Sequence, residues 1–467
     1  MNAQSKKFDY ASYLYWTAAA IVAVGVGYGI AANAVWMVVL LTALVMILII
    51  RKKMLWGIMA VLFLPLIGEL YRLPFGGDNG TLISDVAIAV IVAVWGIEKI
   101  RQKKPLLRIK KLGFVKYIWI FCAVAVCSLL FGLSFLKPAE VGVSSLYLVR
   151  FLEYAMLGII TFDTIQTSKE RQQIFNAIII SSILIAIAGF IQLIIYPDLG
   201  NLQEYGWDPH QNRLVSTWLD PNFIGGFLSY VIAILTAITL YTKSIVKKTG
   251  LLLIIATLAV ALFLTYSRSG YLAAAAALGV IGILKSRKLL IGSIIIFIIG
   301  LNFLPRAQQR VDDLVNSAES LIFNTDQSPD PTAQLRIISW NQTWQLIWQR
   351  PLLGSGYNTL KYVKFDQGFV ADTAVHSASG SDSSLLTILA TTGILGLIPF
   401  VLMYWNILKL SWKNWRNKKL PKQWQGYGLG IFAGTIGLLV HSVFVNSLLF
   451  AQMLIFFWVS VGLLATD

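Results

Sequence analysis

The sequence predicts an all-α, polytopic transmembrane helical bundle of about 12–14 spans. Of its 467 residues, 57% are hydrophobic and 13% charged, whereas an ordinary soluble domain carries roughly a quarter charged residues. Mean hydropathy is +0.71. Apolar runs approaching the ~20 residues that cross a bilayer recur from end to end, divided by short polar segments.

The first run, Ser12 to Ala31, follows Lys6 and Lys7. It leads into Ala31-Ala32-Asn33-Ala34, which resembles a signal-peptide cleavage site. The next apolar run starts almost at once and no exported soluble domain follows, so cleavage is not expected. Further spans are expected at Val35 to Ile50, Met54 to Leu70, Leu82 to Ile97, Phe114 to Leu136, Ser144 to Ile165 and Ile174 to Tyr196. They continue at Pro221 to Tyr241, Leu251 to Tyr266, Gly270 to Leu284, Leu289 to Leu304, Ser383 to Leu408, Tyr427 to Val443 and Ser447 to Leu464. No internal repeat is evident, and residues 1–467 read as one integral membrane domain.

Charge orients the spans. The chain has 38 basic and 22 acidic residues, a net charge of +16, which by itself would suit a nucleic-acid partner. The basic residues instead sit in the short loops after the second, fourth, sixth, eighth, tenth and twelfth spans. Arg51-Lys52-Lys53, Lys99 through Lys116, Lys169 with Arg171, Lys243 with Lys247 and Lys248, Lys285 with Arg287 and Lys288, and Lys409 through Lys422 then share one side. That is positive-inside patterning, with both termini cytoplasmic and no nucleic acid implied. Cys122 and Cys127 fall on different faces of one span and imply neither a disulfide nor a metal motif.

The opposite, external side holds two long hydrophilic stretches, Pro197 to Asp220 and Pro305 to Asp382. Residues 305–382 are too short for an independent catalytic domain but long enough to cap a membrane-embedded site. They contain two expected amphipathic helices, around Arg306 to Phe323 and Ala333 to Arg350, divided by a loop from Asn324 to Pro331.

Polar residues that lipid should exclude are the informative ones. Arg150 and Glu153 stand three apart in the sixth span and are expected to neutralise each other. Asp220-Pro221-Asn222 reads as a helix start, with Asp220 as the cap and Pro221 at the first helical position. Arg213 lies just before it, outside any basic loop. Arg268, in Tyr266-Ser267-Arg268-Ser269-Gly270-Tyr271, sits at an interfacial turn and suits either snorkelling or anion binding. Arg336 opens a helix running to Arg350, where Pro351-Leu352-Leu353-Gly354-Ser355-Gly356 ends it and allows close backbone approach. Of the three histidines, His376 lies in a polar external segment. His441 lies within a span and is expected to make an interhelical hydrogen bond. His210 is undecided.

The order of these pieces resembles the O-antigen ligase and O-antigen polymerase family over roughly Arg213 to Leu402, within a catalytic region of residues 205–402. The pieces are an Arg before Asp-Pro-Asn, then Ser-Arg-Ser-Gly, then Arg336-x-x-x-Trp340 leading to Arg350-Pro-Leu-Leu-Gly-x-Gly, then His376 and Thr392-Gly393-Ile394-Leu395-Gly396. The resemblance implies an inverting, metal-independent glycosyltransferase of the GT-C type, without cofactor, in the bacterial plasma membrane. Its donor would be a glycan on undecaprenyl diphosphate, its site external, and its acceptor a glycan, lipid A core or another envelope hydroxyl. Arg213 and Arg336 match the family's diphosphate-binding arginines, with Arg268 as a further addition, and His376 matches its essential histidine. Family members often place His directly before Asn-Ser at the start of the following helix, whereas Asp382-Ser383 stands there in this chain, so Asp382 is the alternative base.

The chemistry agrees with this reading. Negative charge accumulates on a departing lipid diphosphate, and without an acidic metal cluster its stabilising cations must be Arg or Lys. An attacking hydroxyl benefits from a base of near-neutral pKa, for which His is the usual side chain. A ligase and a polymerase are not separated by these residues. From another class, a secondary transporter or lipid-linked oligosaccharide flippase would place Arg150 and Glu153 at a midplane site, but the unusual polar content is concentrated in the external loops.

Overall fold

A computed structural model describes residues 17, 24–25, 34–74, 80–102, 109, 112–201, 210–303, 305–323, 331–372 and 380–464. The expected first span, Ser12 to Ala31, lies almost wholly outside the described residues, and His376 lies outside them too.

The described chain is helical apart from one small ladder. Helices α1 (Val35–Lys52) and α2 (Met54–Val61) lead through a 3-10 turn (Leu64–Leu66) to β1 (Arg72–Leu73), which pairs antiparallel with β2 (Thr81–Leu82). Then come α3 (Ile83–Gln102), α4 (Val115–Gly132), α5 (Pro138–Thr164), α6 (Ser168–Ile195), α7 (Pro221–Thr239), α8 (Ile245–Leu264), α9 (Arg268–Lys285) and α10 (Arg287–Phe303). The second hydrophilic stretch folds as α11 (Pro305–Phe323), α12 (Pro331–Gln349) and α13 (Leu360–Asp366). Helices α14 (Ser384–Arg416), α15 (Lys422–His441) and α16 (Ala451–Leu464) complete the bundle. Each expected span from the second to the fourteenth coincides with a helix, and eight of these helices are long and apolar enough to cross a membrane.

Two of the helices are buried on nearly every side. In α16 every residue is buried, and in α7 all but two are. A helix apolar on all sides either faces lipid or fills a core, and these two fill the core. Helix α7 packs along α9 and α15, and α16 packs along α5. Elsewhere the outer faces are apolar and exposed, with Leu40 and Leu130 as examples, as a lipid-facing surface requires.

The intramembrane pair differs from expectation. Arg150 bonds Asp85 of α3, not Glu153: its Nη2 lies 2.6 Å from Asp85 Oδ2 and its Nε 3.1 Å from each carboxylate oxygen. Tyr154 Oη, one turn along α5, donates to the same carboxylate at 2.9 Å. Spacing along one helix cannot reveal a partner 65 residues away on another, and a bidentate contact outweighs an i, i+3 contact.

One end of the bundle gathers the chemistry. Helices α7, α9, α14 and α16 begin there and α15 ends there. They are tied by Ser267 Oγ to Asn222 Oδ1 (2.9 Å), Ser384 N to the Ser442 carbonyl (2.8 Å) and Leu448 N to Ser384 Oγ (3.2 Å). Both long hydrophilic stretches connect helices at this end. At the other end Lys53 pairs with Glu170, and Arg171 stacks on Trp424 with its guanidinium carbon 3.8 Å from the ring centroid.

Candidate active site

The site is built on the first turn of α7. Asp220 caps it as expected, its Oδ1 accepting from Asn222 N at 2.6 Å and Phe223 N at 3.4 Å. Ser267 caps α9 through Gly270 N (3.2 Å) while donating to Asn222 Oδ1. The two helix starts can meet because Gly225 and Gly270 face each other: a Cβ on Gly270 would stand 3.0 Å from Gly225 Cα. Two capped helix N-termini, with their positive dipole ends, therefore converge.

His441 closes the cluster from the end of α15. It is fully buried, with Nε2 3.3 Å from Ser269 Oγ. Its ring fills the space over Gly226, where a Cβ would fall 2.7 Å from Cε1. The interhelical contact is thus observed, and it lies within the site: Asp220 and Arg336 are both close enough for their charges to act on the ring.

Arginines line one side. Arg213 donates from Nε to the Thr265 carbonyl (2.9 Å) and from Nη2 to that of Tyr266 (3.3 Å), so part of its capacity goes into capping α8. Arg306 of α11 donates to the carbonyls of Gln211 (2.7 Å) and Asn212 (3.2 Å) and lies 5.0 Å over the Tyr266 ring. Burial, then the charge of Arg310, hold the Arg213 guanidinium below its ordinary value; Arg306 adds to this and Asp220 opposes it. An arginine keeps its proton at physiological pH, so Arg213 stays a cation among like charges, of which Arg310 also pairs with Asp313 at 3.7 Å. Arg336 stands half-exposed on α12, and Arg268 is the first residue of α9. Asp220 thus acts on both Arg213 and His441, and Arg336 acts on His441, while Arg268 opens α9. Sequence reading missed Arg306 and Arg310, although a basic first half on an expected amphipathic helix was the available signal.

The other side is the turn before α14. Asp382 adopts a left-handed φ of 54°. It is flanked by Ser381, whose N donates to Thr387 Oγ1 (3.1 Å), and by Ser383, which caps α14 through Leu386 N (3.4 Å). Lys364 of α13 anchors this turn. Only 1% exposed, its Nζ donates to the Gly380 carbonyl (2.7 Å) and to Ser339 Oγ (3.3 Å), one turn beyond Arg336 on α12. Burial pushes the Lys364 ammonium down to about 8, against the attraction of Asp382. A lone lysine in a mixed helix gave no sequence signal for this.

The two motifs that carry the family resemblance pack against each other. Helix α14 breaks at Gly393, where φ is 63° and ψ −171°. The break frees carbonyls that accept from Ser355 N (Ala390, 3.0 Å) and Gly356 N (Thr391, 2.9 Å), while Ile394 N donates to the Pro351 carbonyl (2.9 Å). Ser128 of α4 donates to the Leu353 and Thr391 carbonyls, both at 2.6 Å. The close backbone approach expected of the Pro-x-x-Gly-x-Gly segment is therefore an approach to this break. Among the described residues no three His, Cys, Asp or Glu side chains are grouped to hold a metal ion.

Fold and site together define a multi-pass, all-α membrane protein with an arginine-lined site at converging helix ends. Residues 252–401, from α8 into α14, match the family model described as O-antigen ligase. That segment, about a third of the chain, is thus similar to the O-antigen ligase family, which supports a membrane protein of glycan ligation or polymerisation. No curated protein matches the chain. The matched segment contains Arg268, Arg306, Arg310, Arg336, Lys364, His376 and Asp382; Arg213, Asp220, Asn222 and His441 lie outside it and join the site through the fold.

Proposed function

We propose that this protein is an inverting glycosyltransferase that moves a glycan from undecaprenyl diphosphate to an acceptor hydroxyl at the external face of the bacterial plasma membrane. The reading rests on Arg213, which stands among the charges of Arg306, Arg310 and Asp220, and on His441, which feels Asp220 and Arg336 beside the starts of α7 and α9. Guanidinium groups beside positive helix ends suit a diphosphate, and they act most strongly where its charge grows as the glycosyl bond breaks. The basic loops on the opposite side support the outward orientation of the site, with both termini cytoplasmic.

In this mechanism the anomeric carbon is attacked from the face away from the diphosphate, which leaves with the bond's electron pair while the arginines hold it. The acceptor hydroxyl gives its proton to a base in the segment before α14. His376 is the first candidate and Asp382 the second, and Lys364 ties Gly380, two residues before Asp382, to Ser339 of α12. No cofactor or metal is invoked. A ligase and a polymerase share these steps and differ in the acceptor: lipid A core or another envelope group for one, a second lipid-linked repeat for the other. Arg336→Ala is expected to abolish transfer while the protein still inserts and folds; near-normal transfer removes Arg336 from the mechanism.

A further inference from the structure

A polar recess opens beside the Ser381–Thr387 turn, with Thr387 in its wall. It is a cleft of about 30 Å³ whose polar lining comes from Tyr147 and Arg150 of α5, Tyr357 and Asn358 before α13, and Thr387 and Thr391 of α14; its other walls are apolar. The Arg150 charge is already met by the bidentate Asp85 contact, and its Nη2 also donates to the Gly80 carbonyl at 3.0 Å. Among the described residues its Nη1 has no hydrogen-bond partner. Asn358 sits at a left-handed φ of 60°, which an asparagine tolerates better than most residues. Its carboxamide bonds no described residue.

The cleft therefore offers hydrogen-bond donors and an acceptor beside an aromatic ring, with its cation neutralised. That suits hydroxyls, whereas the arginine side suits phosphate. Its closed depth holds a hydroxyl or two, so a ring would seat only an edge there. Thr387, which lines the cleft, accepts from Ser381 N at 3.1 Å, so the cleft adjoins the turn that holds Asp382, where an acceptor hydroxyl must meet its base. Resting on the transferase reading, we propose that this cleft is the acceptor subsite and binds the edge of a neutral, hydroxyl-rich sugar.

The experiment has two arms. In the first, purified protein in lipid nanodiscs transfers from an undecaprenyl-diphosphate oligosaccharide to the same lipid-linked repeat or to deacylated core oligosaccharide, with each substrate titrated separately. Asn358→Gly, which removes the amide and keeps the backbone unstrained, is expected to raise the acceptor KM about tenfold, the worth of a lost hydrogen bond or two, and to leave the donor KM unmoved. Arg150→Lys should do the same. Equal shifts in both KM values, or in neither, overturn the assignment.

The second arm needs no turnover. In a Cys127→Ser background, an Asn358→Cys thiol is labelled with maleimide in the presence of the acceptor sugar, supplied as free repeat oligosaccharide or deacylated core oligosaccharide, or of inorganic diphosphate. Protection by the sugar alone supports the subsite, and protection by diphosphate, or by neither, overturns it. Sugar protection in a protein that transfers nothing would keep the sugar site and remove the transferase reading.

Discussion

Replacing Gly354 by alanine tests the packing of the two family motifs. The residue has φ +68°, and an added Cβ would stand 2.4 Å from Thr391 C, 2.6 Å from Thr392 N and 2.7 Å from the Ala390 carbonyl oxygen. All three are backbone atoms, so no side chain can swing aside. The left-handed conformation costs a non-glycine residue about 1–2 kcal/mol. Relieving the collision pushes the loop off α14 and breaks the Ser355–Ala390 and Gly356–Thr391 hydrogen bonds, at roughly 1 kcal/mol each. The expected destabilisation is about 3–4 kcal/mol. Gly368 provides the control: its φ is +70° with nothing within 4 Å of an added Cβ, so Gly368→Ala carries only the backbone strain of about 1–2 kcal/mol. Thermal unfolding in detergent, followed by tryptophan fluorescence, should place Gly354→Ala clearly below Gly368→Ala. Equal midpoints would refute the argument that the loop and the helix break support each other.

Two further substitutions probe the site. Arg310→Ala relieves the crowding at Arg213 and removes one anion-binding charge, so the donor KM should rise about tenfold, within the range for a charged hydrogen bond, with the acceptor KM unchanged in the same two-substrate titration. Lys364 sets a pH dependence with a definite sign. Its folded pKa of about 8 lies below the ~10.4 of an unfolded lysine, so between those values the unfolded chain binds more protons and stability rises with pH. The ammonium that attracts Asp382 is lost across the same range, so transfer should decline above about pH 8. Lys364→Arg, which stays charged, should move the decline upward; an unmoved pH–rate profile removes Lys364 from the positioning of that turn.

The helices were legible because lipid leaves the backbone few alternatives: apolar length predicts a span wherever polar groups must be satisfied internally. Local signals also carried through. Asp220 caps α7, the Tyr266–Gly270 turn starts α9, and the hydrophilic stretch contains the two expected helices. What could not be read was tertiary pairing. Arg150 meets Asp85 and not its own-helix neighbour. Lys364 acquires its role only when α13 folds under the Gly380 turn. His441 lies against Gly226, 215 positions earlier in the chain. The Pro-Leu-Leu-Gly and Thr-Gly-Ile-Leu-Gly segments, the most recognisable in the sequence, prove to be two halves of one packing device, so their recognisability reported the scaffold and not the chemistry. His376 lies outside the described residues, and its role as base stays a proposal for mutagenesis.

The most direct test of the central claim is transfer by purified protein from an undecaprenyl-diphosphate oligosaccharide with chelator present, supplying lipid-linked repeats and terminal acceptors separately and together. The account predicts a glycan product that survives chelation and is lost in Arg336→Ala: from repeats alone for a polymerase, only with a terminal acceptor for a ligase. Activity that vanishes with chelator would contradict the arginine mechanism, and movement of the lipid with no product from any acceptor would contradict the transferase itself.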